Sequence, residues 1–215
     1  MDVNMEKVTY TEADILALRE KIKPYLTAKR YAHTLAVERE AQYLGEIYLP
    51  ESVMKLRASA LLHDVTKKDD LQKQLHYCDK FDIIISDYDI CSPKTFHSKT
   101  AAALITEAFP EFADEEIVNG VRWHTTGREG MSVFEAIVYL ADYIEDTRTF
   151  PDCVKLRRFF RDGIASGEDK YLLLYRTMVK SFDMTVRGLL DEGALVDTDT
   201  VMARSYYLLK LREHK

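Results

Sequence analysis

The chain has 215 residues, a formal net charge of −6 and 47% hydrophobic residues. That is enough apolar mass for one domain-sized core, and the acidic balance argues against a nucleic-acid-binding module. Its three cysteines, Cys78, Cys91 and Cys153, are odd in number and lack metal-ligand spacing. Neither a disulfide framework nor a thiolate zinc site is expected, and a reducing cytoplasm is the expected compartment. No run is long or apolar enough to cross a bilayer, and the opening MDVNMEKVTY lacks the apolar stretch of a secretion signal.

Only 8 glycines and 5 prolines punctuate the chain, while 31% of residues are charged. This balance predicts amphipathic helices rather than turn-rich β structure. Residues 11–27 read as a first helix, with Thr11 placed to cap it and Glu12 and Asp14 in the first turn, where the helix dipole favours acids. Residues 28–47 read as a second, ended by Pro50, and 51–63 as a third, with Val53, Leu56, Ala60 and Leu61 at helical spacing. Residues 64–96 are irregular. The run from Phe81 to Ile85 has strand composition, but an isolated strand has no partner, so helix or loop is expected there; Ser92-Pro93 marks a loop. Helix resumes over 97–109 until Pro110, and Asp114 caps a short helix reaching His124. A polar loop follows, and Ser132 with Glu135 forms a capping box that opens a strongly apolar helix through about Asp146. Residues 153–165 and 168–191 are two further helices, and Asp197 or Thr198 caps a last one ending near Arg212. The expectation is an all-α bundle in one domain over 1–215, its core over roughly 20–150, with the helices of 153–212 packed on it.

Three features do not fit a plain bundle. His63-Asp64 ends an apolar helix, where an unpaired carboxylate and imidazole are costly to desolvate. Asp142 lies inside the most apolar helix of the chain. His33, His63, His97 and His124 all fall at or near predicted helix ends. Taken singly, His33, His97 or His124 reads as an ordinary core or surface group, and Asp142 as a buried hydrogen-bonded acid. His76 and His214 have no supporting context. As a set, the six are reconciled by a divalent cation, which stabilises buried carboxylates and takes neutral imidazoles as ligands. Histidine and carboxylate without thiolate suit iron, manganese, zinc or nickel rather than calcium.

The order His33, His63-Asp64, Asp142 is similar to the HD-domain superfamily of phosphohydrolases, a helical bundle in which a His, a His-Asp pair and a distant Asp hold a metal. His97 and His124 match the extra histidines of its two-metal members. Arg30-Tyr-Ala-His33, Ala60-Leu-Leu-His-Asp-Val-Thr-Lys67, Trp123-His-Thr-Thr-Gly-Arg128 and Tyr139-Leu-Ala-Asp-Tyr-Ile-Glu-Asp-Thr-Arg148 resemble the bacterial YqeK group over roughly residues 20–205. That group usually has Gly after the histidine at position 97, where this chain has Ser98. The resemblance implies symmetrical hydrolysis of diadenosine tetraphosphate and related dinucleoside polyphosphates to two ADP. It also implies that His33, His63, Asp64 and Asp142 hold one divalent transition metal, and that Asp64, His97 and His124 hold a second, with Asp64 bridging. Iron is the metal expected foremost, manganese or another divalent ion being the alternative.

A polyphosphate needs further donors. Lys67 lies three residues after Asp64. Arg128 follows Thr125-Thr126-Gly127, a small polar loop suited to phosphate oxygens. Arg30 is one turn before His33 and shares its face, and Arg148 closes the Asp142 helix. Each has a plainer reading, Lys67 as a helix C-terminal cap and Arg30 and Arg148 as surface ion pairs worth little. Asp64, Lys67 and Arg128 are the candidate catalytic residues. Competing functions are another HD-type nucleotide phosphohydrolase (a nucleotidase, a deoxynucleoside triphosphatase or a cyclic-nucleotide phosphodiesterase) and a non-catalytic nucleotide-binding module. The latter would be marked by loss of a ligand, and all six are present. Neither nucleic acid nor membrane is an expected partner, and Tyr206-Tyr-Leu-Leu either finishes the core or pairs two copies in a homodimer.

Overall fold

The computed structural model describes residues 9–214, Tyr88 by its backbone alone. The segment read as lacking a secretion signal therefore lies almost wholly outside the described residues. Among these residues there are eleven α-helices, α1 to α11, and no strand, so the fold is all-α as composition predicts.

Helix α1 (Glu12–Ile22) opens on a capping box between Thr11 and Asp14. It ends earlier than residue 27 because Pro24, in the tight turn Lys23–Tyr25, cannot continue it. Thr27 accepts the Arg30 amide and starts α2 (Ala28–Tyr48). Helix α3 (Val53–Leu62) follows the Pro50 turn and is buried from Leu56 to Leu62. The stretch 64–96, irregular by sequence, carries two short helices, α4 (Leu71–Lys80), capped by Asp70, and α5 (Asp87–Cys91). The aliphatic run between them is loop, with Ile84 92% exposed. Beyond it lie α6 (Phe96–Ala108), α7 (Glu115–Trp123, capped by Asp114) and α8 (Val133–Ile144, opened by the Ser132–Glu135 capping box). Helices α9 (Pro151–Ala165), α10 (Lys170–Asp191) and α11 (Thr198–Glu213) complete the chain, the last capped by Asp197.

Helix α3 is the hub: α1, α2, α6, α7 and α8 all pack on it. Burying each of its leucines contributes about 1.5–3 kcal/mol. A polar clamp locks its start to two neighbours. Buried Glu38 of α2 accepts from Arg57 of α3 at 2.9 Å and from Arg19 of α1 at 2.8 and 2.9 Å, and Arg57 also pairs with Glu12. Helices α9, α10 and α11 dock through α8, where Phe182 meets Tyr139 with ring centroids 4.8 Å apart and Tyr207 at 6.3 Å. Tyr207 thus finishes this part of the core, while Leu209 is exposed. Among the described residues no helix is long and apolar enough to cross a membrane.

Candidate metal centre

Five helices, the hub and four that pack on it, each deliver part of one cluster. His33 projects from the second turn of α2, His63 and Asp64 end α3, His97 opens α6, His124 ends α7 and Asp142 comes from the last turn of α8. Their ligand-type atoms converge. His33, His63 and Asp64 form one group and Asp64, His97 and His124 another, each with all such atoms within 4.8 Å of one another; His63, His124 and Asp142 satisfy the same limit.

Asp64 divides its carboxylate between the two ends of the cluster. Oδ2 lies 3.2 Å from His63 Nε2 and 3.9 Å from His33 Nε2, while Oδ1 lies 3.3 Å from His97 Nε2 and 3.8 Å from His124 Nε2. Asp142 Oδ1 sits 3.0 Å from His33 Nε2 and 3.8 Å from His63 Nε2.

The imidazoles are oriented from behind. Nδ1 of His63, His97 and His124 lies 2.6, 2.9 and 2.7 Å from the carbonyls of Ala60, Lys94 and Val121, three residues earlier in each case. A carbonyl only accepts, so each Nδ1 carries the proton and each Nε2 turns a lone pair inward. His33 Nδ1 likewise meets the Glu145 carboxylate at 3.1 Å. The Nε2 atoms of His33 and His63 are buried without a hydrogen-bond partner, and those of His97 and His124 face one another at 3.0 Å. Lone pairs aimed at lone pairs and carboxylates call for positive charge between them. These residues therefore fit divalent cations.

The electrostatics agree. Burial keeps His97 neutral, well below the usual imidazole range, and pulls His124 down to about 4. Burial also acts against charge on His33, but the flanking Asp142 and Glu145 carboxylates outweigh it and lift the imidazole to about 9, which marks the space between its Nε2 and Asp142 as one that draws positive charge. Burial favours the acid form of Asp64 and Asp142, yet both are held well below the usual carboxylate range, Asp142 by the Arg148 guanidinium beside it.

Of the proposed phosphate donors, Arg30 Nη1 reaches Asp64 Oδ2 at 2.9 Å and Arg148 Nη2 reaches Asp142 Oδ1 at 2.5 Å. Both line a cleft of about 590 Å3 that opens onto His33. Lys67 Nζ lies 3.1 Å from His97 Nδ1 and 3.2 Å from its Nε2; burial lowers its pKa against the pull of Asp64. Thr125 Oγ1 is 3.2 and 3.1 Å from Nε2 of His97 and His124. Thr126 and Gly127 shape the loop instead: the Thr126 carbonyl accepts from Thr200, and Gly127 has φ +66° with Phe182 in the space a Cβ would need. Arg128 turns toward α8, pairing with Glu135 at 2.8 Å and lying over the Trp123 ring. The structure therefore gathers Arg30, Lys67, Thr125 and Arg148 at the cluster and sets Arg128 on the flank.

Glu145 escapes sequence reasoning. It accepts from the Thr147 amide and hydroxyl as well as meeting His33. Its only signal was its position one turn after Asp142 on the same face.

The chain is similar to known proteins over most of its length. The HD domain family model matches residues 30–147. A Halalkalibacterium halodurans protein named symmetrical bis(5'-nucleosyl)-tetraphosphatase is 33% identical, over 88% of this chain and 94% of its own. A Bacillus subtilis protein of the same name is 34% identical, over 86% and 92%. A crystal structure from Clostridium acetobutylicum, described as a predicted HD superfamily hydrolase involved in NAD metabolism, superposes with a TM-score of 0.80 at 30% identity, covering 94% of this chain and all of that one. This chain therefore belongs to the HD domain family, and over most of its length it is similar to relatives named symmetrical bis(5'-nucleosyl)-tetraphosphatase.

Proposed function

We propose that this chain hydrolyses diadenosine tetraphosphate and related dinucleoside polyphosphates symmetrically, to two ADP. The observation that carries the reading is the division of Asp64, one oxygen toward His33 and His63 and the other toward His97 and His124. It supports two cation places that share one carboxylate. His33, His63, Asp64 and Asp142 would hold one ion, iron foremost, and Asp64, His97 and His124 a second. Bound divalent ions supply Lewis acidity, acidifying water toward neutral pH and neutralising phosphoryl charge. The names of the relatives, which align over most of the chain, supply the substrate class.

The reaction adds one water. Its oxygen bonds to one inner phosphorus, and the bridging oxygen leaves on the other inner phosphate, giving ADP on both sides. Catalysis of this kind is mainly positioning and electrostatics. Arg30 and Arg148 contribute by moving part of their hydrogen bonding from Asp64 and Asp142 to phosphate oxygens. Lys67 and the Thr125 hydroxyl bind the same tetraphosphate from the His97 side. Arg128, held by Glu135, steadies the Thr125–Gly127 loop and acts on substrate through it. The whole chain works as one unit, with the C-terminal helices backing α8 and that loop.

Product analysis tests the reading. Metal-loaded protein given diadenosine tetraphosphate is expected to release ADP alone, two per substrate. AMP plus ATP, or no turnover with iron or manganese, would reject it.

A further inference from the structure

The cleft beside His33 has two walls. One is the first turn of α2, with Arg30; the other is the segment joining α8 to α9, with Arg148 and Phe150. Phe150 is 68% exposed, with its ring left at the cleft rather than in the core. An isolated exposed phenylalanine is commonplace. This one differs in its support and in its company.

The segment that carries Phe150 is rigidly held. The Glu145 carboxylate takes the Thr147 amide, the Glu145 carbonyl takes the Arg148 amide, and Arg157 donates to the carbonyls of Ile144, Glu145 and Arg148. Pro151 confines Phe150 to extended backbone, observed at φ −59° and ψ 136°, and the Phe150 carbonyl accepts the Val154 amide at 3.0 Å to begin α9. The exposed ring thus stands on a fixed base. The cleft it lines is also lined by two guanidiniums that pair with the cluster, Arg148 on Asp142 and Arg30 on Asp64. Cations joined to the cluster and an aromatic face on one cleft match phosphates and a base.

A second cleft, of about 500 Å3, opens on the far side beside Thr125 and Thr126. Among the described residues its lining includes Leu189 and Leu195 and no aromatic side chain.

Resting on the hydrolase reading, we propose that Phe150 is a base-stacking residue: the adenine of one ADP half lies on its ring while the phosphates of that half pass Arg148 and Arg30 to the cluster. A ring face reads no base edge, so the subsite accepts guanine about as well as adenine.

The test uses metal-loaded wild type, Phe150→Ala, Phe150→Leu and Phe150→Trp. Steady-state kinetics are measured with diadenosine tetraphosphate and its guanine counterpart, ADP affinity by calorimetry, and metal content alongside. Loss of one stacking contact is expected to raise KM and the ADP Kd about 5- to 100-fold in the Ala variant. Trp restores both, Leu does not, kcat changes less than KM, and metal content equals that of wild type. Unchanged KM and ADP affinity in Phe150→Ala, or full rescue by Leu, would overturn the proposal. If wild type itself fails to turn over diadenosine tetraphosphate, the hydrolase reading fails, and the ADP affinities of the same four proteins still decide whether Phe150 stacks a base.

Discussion

Each residue at the centre has a defined partner behind it. His33 is the only one of the four imidazoles there whose outer nitrogen meets a carboxylate, that of Glu145, rather than a backbone carbonyl. A carboxylate behind a metal-ligating imidazole fixes the ring and raises its basicity, and removing such a partner costs roughly 10–100-fold in metal affinity. Glu145→Gln keeps the shape and removes the charge, so metal titration should show affinity falling by about tenfold with the fold intact; unchanged affinity would deny Glu145 this role. The six residues of the cluster stood out because imidazoles and acids were placed where apolar helices should be closed. Glu145 did not, since it opens the charged pair Glu145-Asp146 at a helix end, where solvated acids are ordinary. Nor did the pairing of Arg128, because Glu135 already had a sufficient role in the capping box and nothing in one dimension reports a second.

At the scale of elements, helices with strong punctuation were readable: Thr11, Asp114, Ser132 and Asp197 all cap as their spacing predicts. Helices α4 and α5 were not, being short and flanked by a polar run and an exposed aliphatic one, and they are settled by tertiary contact such as that of α4 with α6. Contact between elements also creates a titration the sequence hides. Glu40 of α2 is buried against α9, with Arg161 Nη2 at 2.5 Å from Oε2 and Oε1 unpartnered. Burial lifts its carboxyl to about 7, the nearby Asp146 adding to this and Arg161 and Arg157 opposing. A folded pKa raised above the unfolded 4.5 gives stability that is complete below pH 4.5 and lost as pH rises through 7. Glu40→Gln mimics the protonated form. Relative to it, wild type should lose on the order of 3 kcal/mol between pH 4.5 and pH 8, at about 1.4 kcal/mol per pKa unit. Denaturant titrations of both proteins at several pH values measure this, and a pH-independent difference would contradict it.

The whole molecule is organised so that the helices bearing the cluster cannot drift independently. The Glu38 carboxylate joins α1, α2 and α3 through Arg19 and Arg57, and two of those helices carry His33, His63 and Asp64. Glu38→Ala would leave two guanidiniums facing one another, Arg57 only 4% exposed. The expected cost is on the order of 3 kcal/mol, a fall in Tm of roughly 10 °C for a chain of this size. Thermal unfolding of the metal-loaded variant within a degree or two of wild type would show that the clamp does not hold the frame.

The cluster's capacity for metal is the claim from which the rest follows. It is tested most directly by elemental analysis of wild type and Asp64→Ala after loading with excess manganese or iron and desalting. Two ions per chain in wild type, and loss of most of them in the variant, are expected, because Asp64 serves both ends of the cluster. A wild type that retains no ion, or an Asp64→Ala protein that retains as much as wild type, would contradict it.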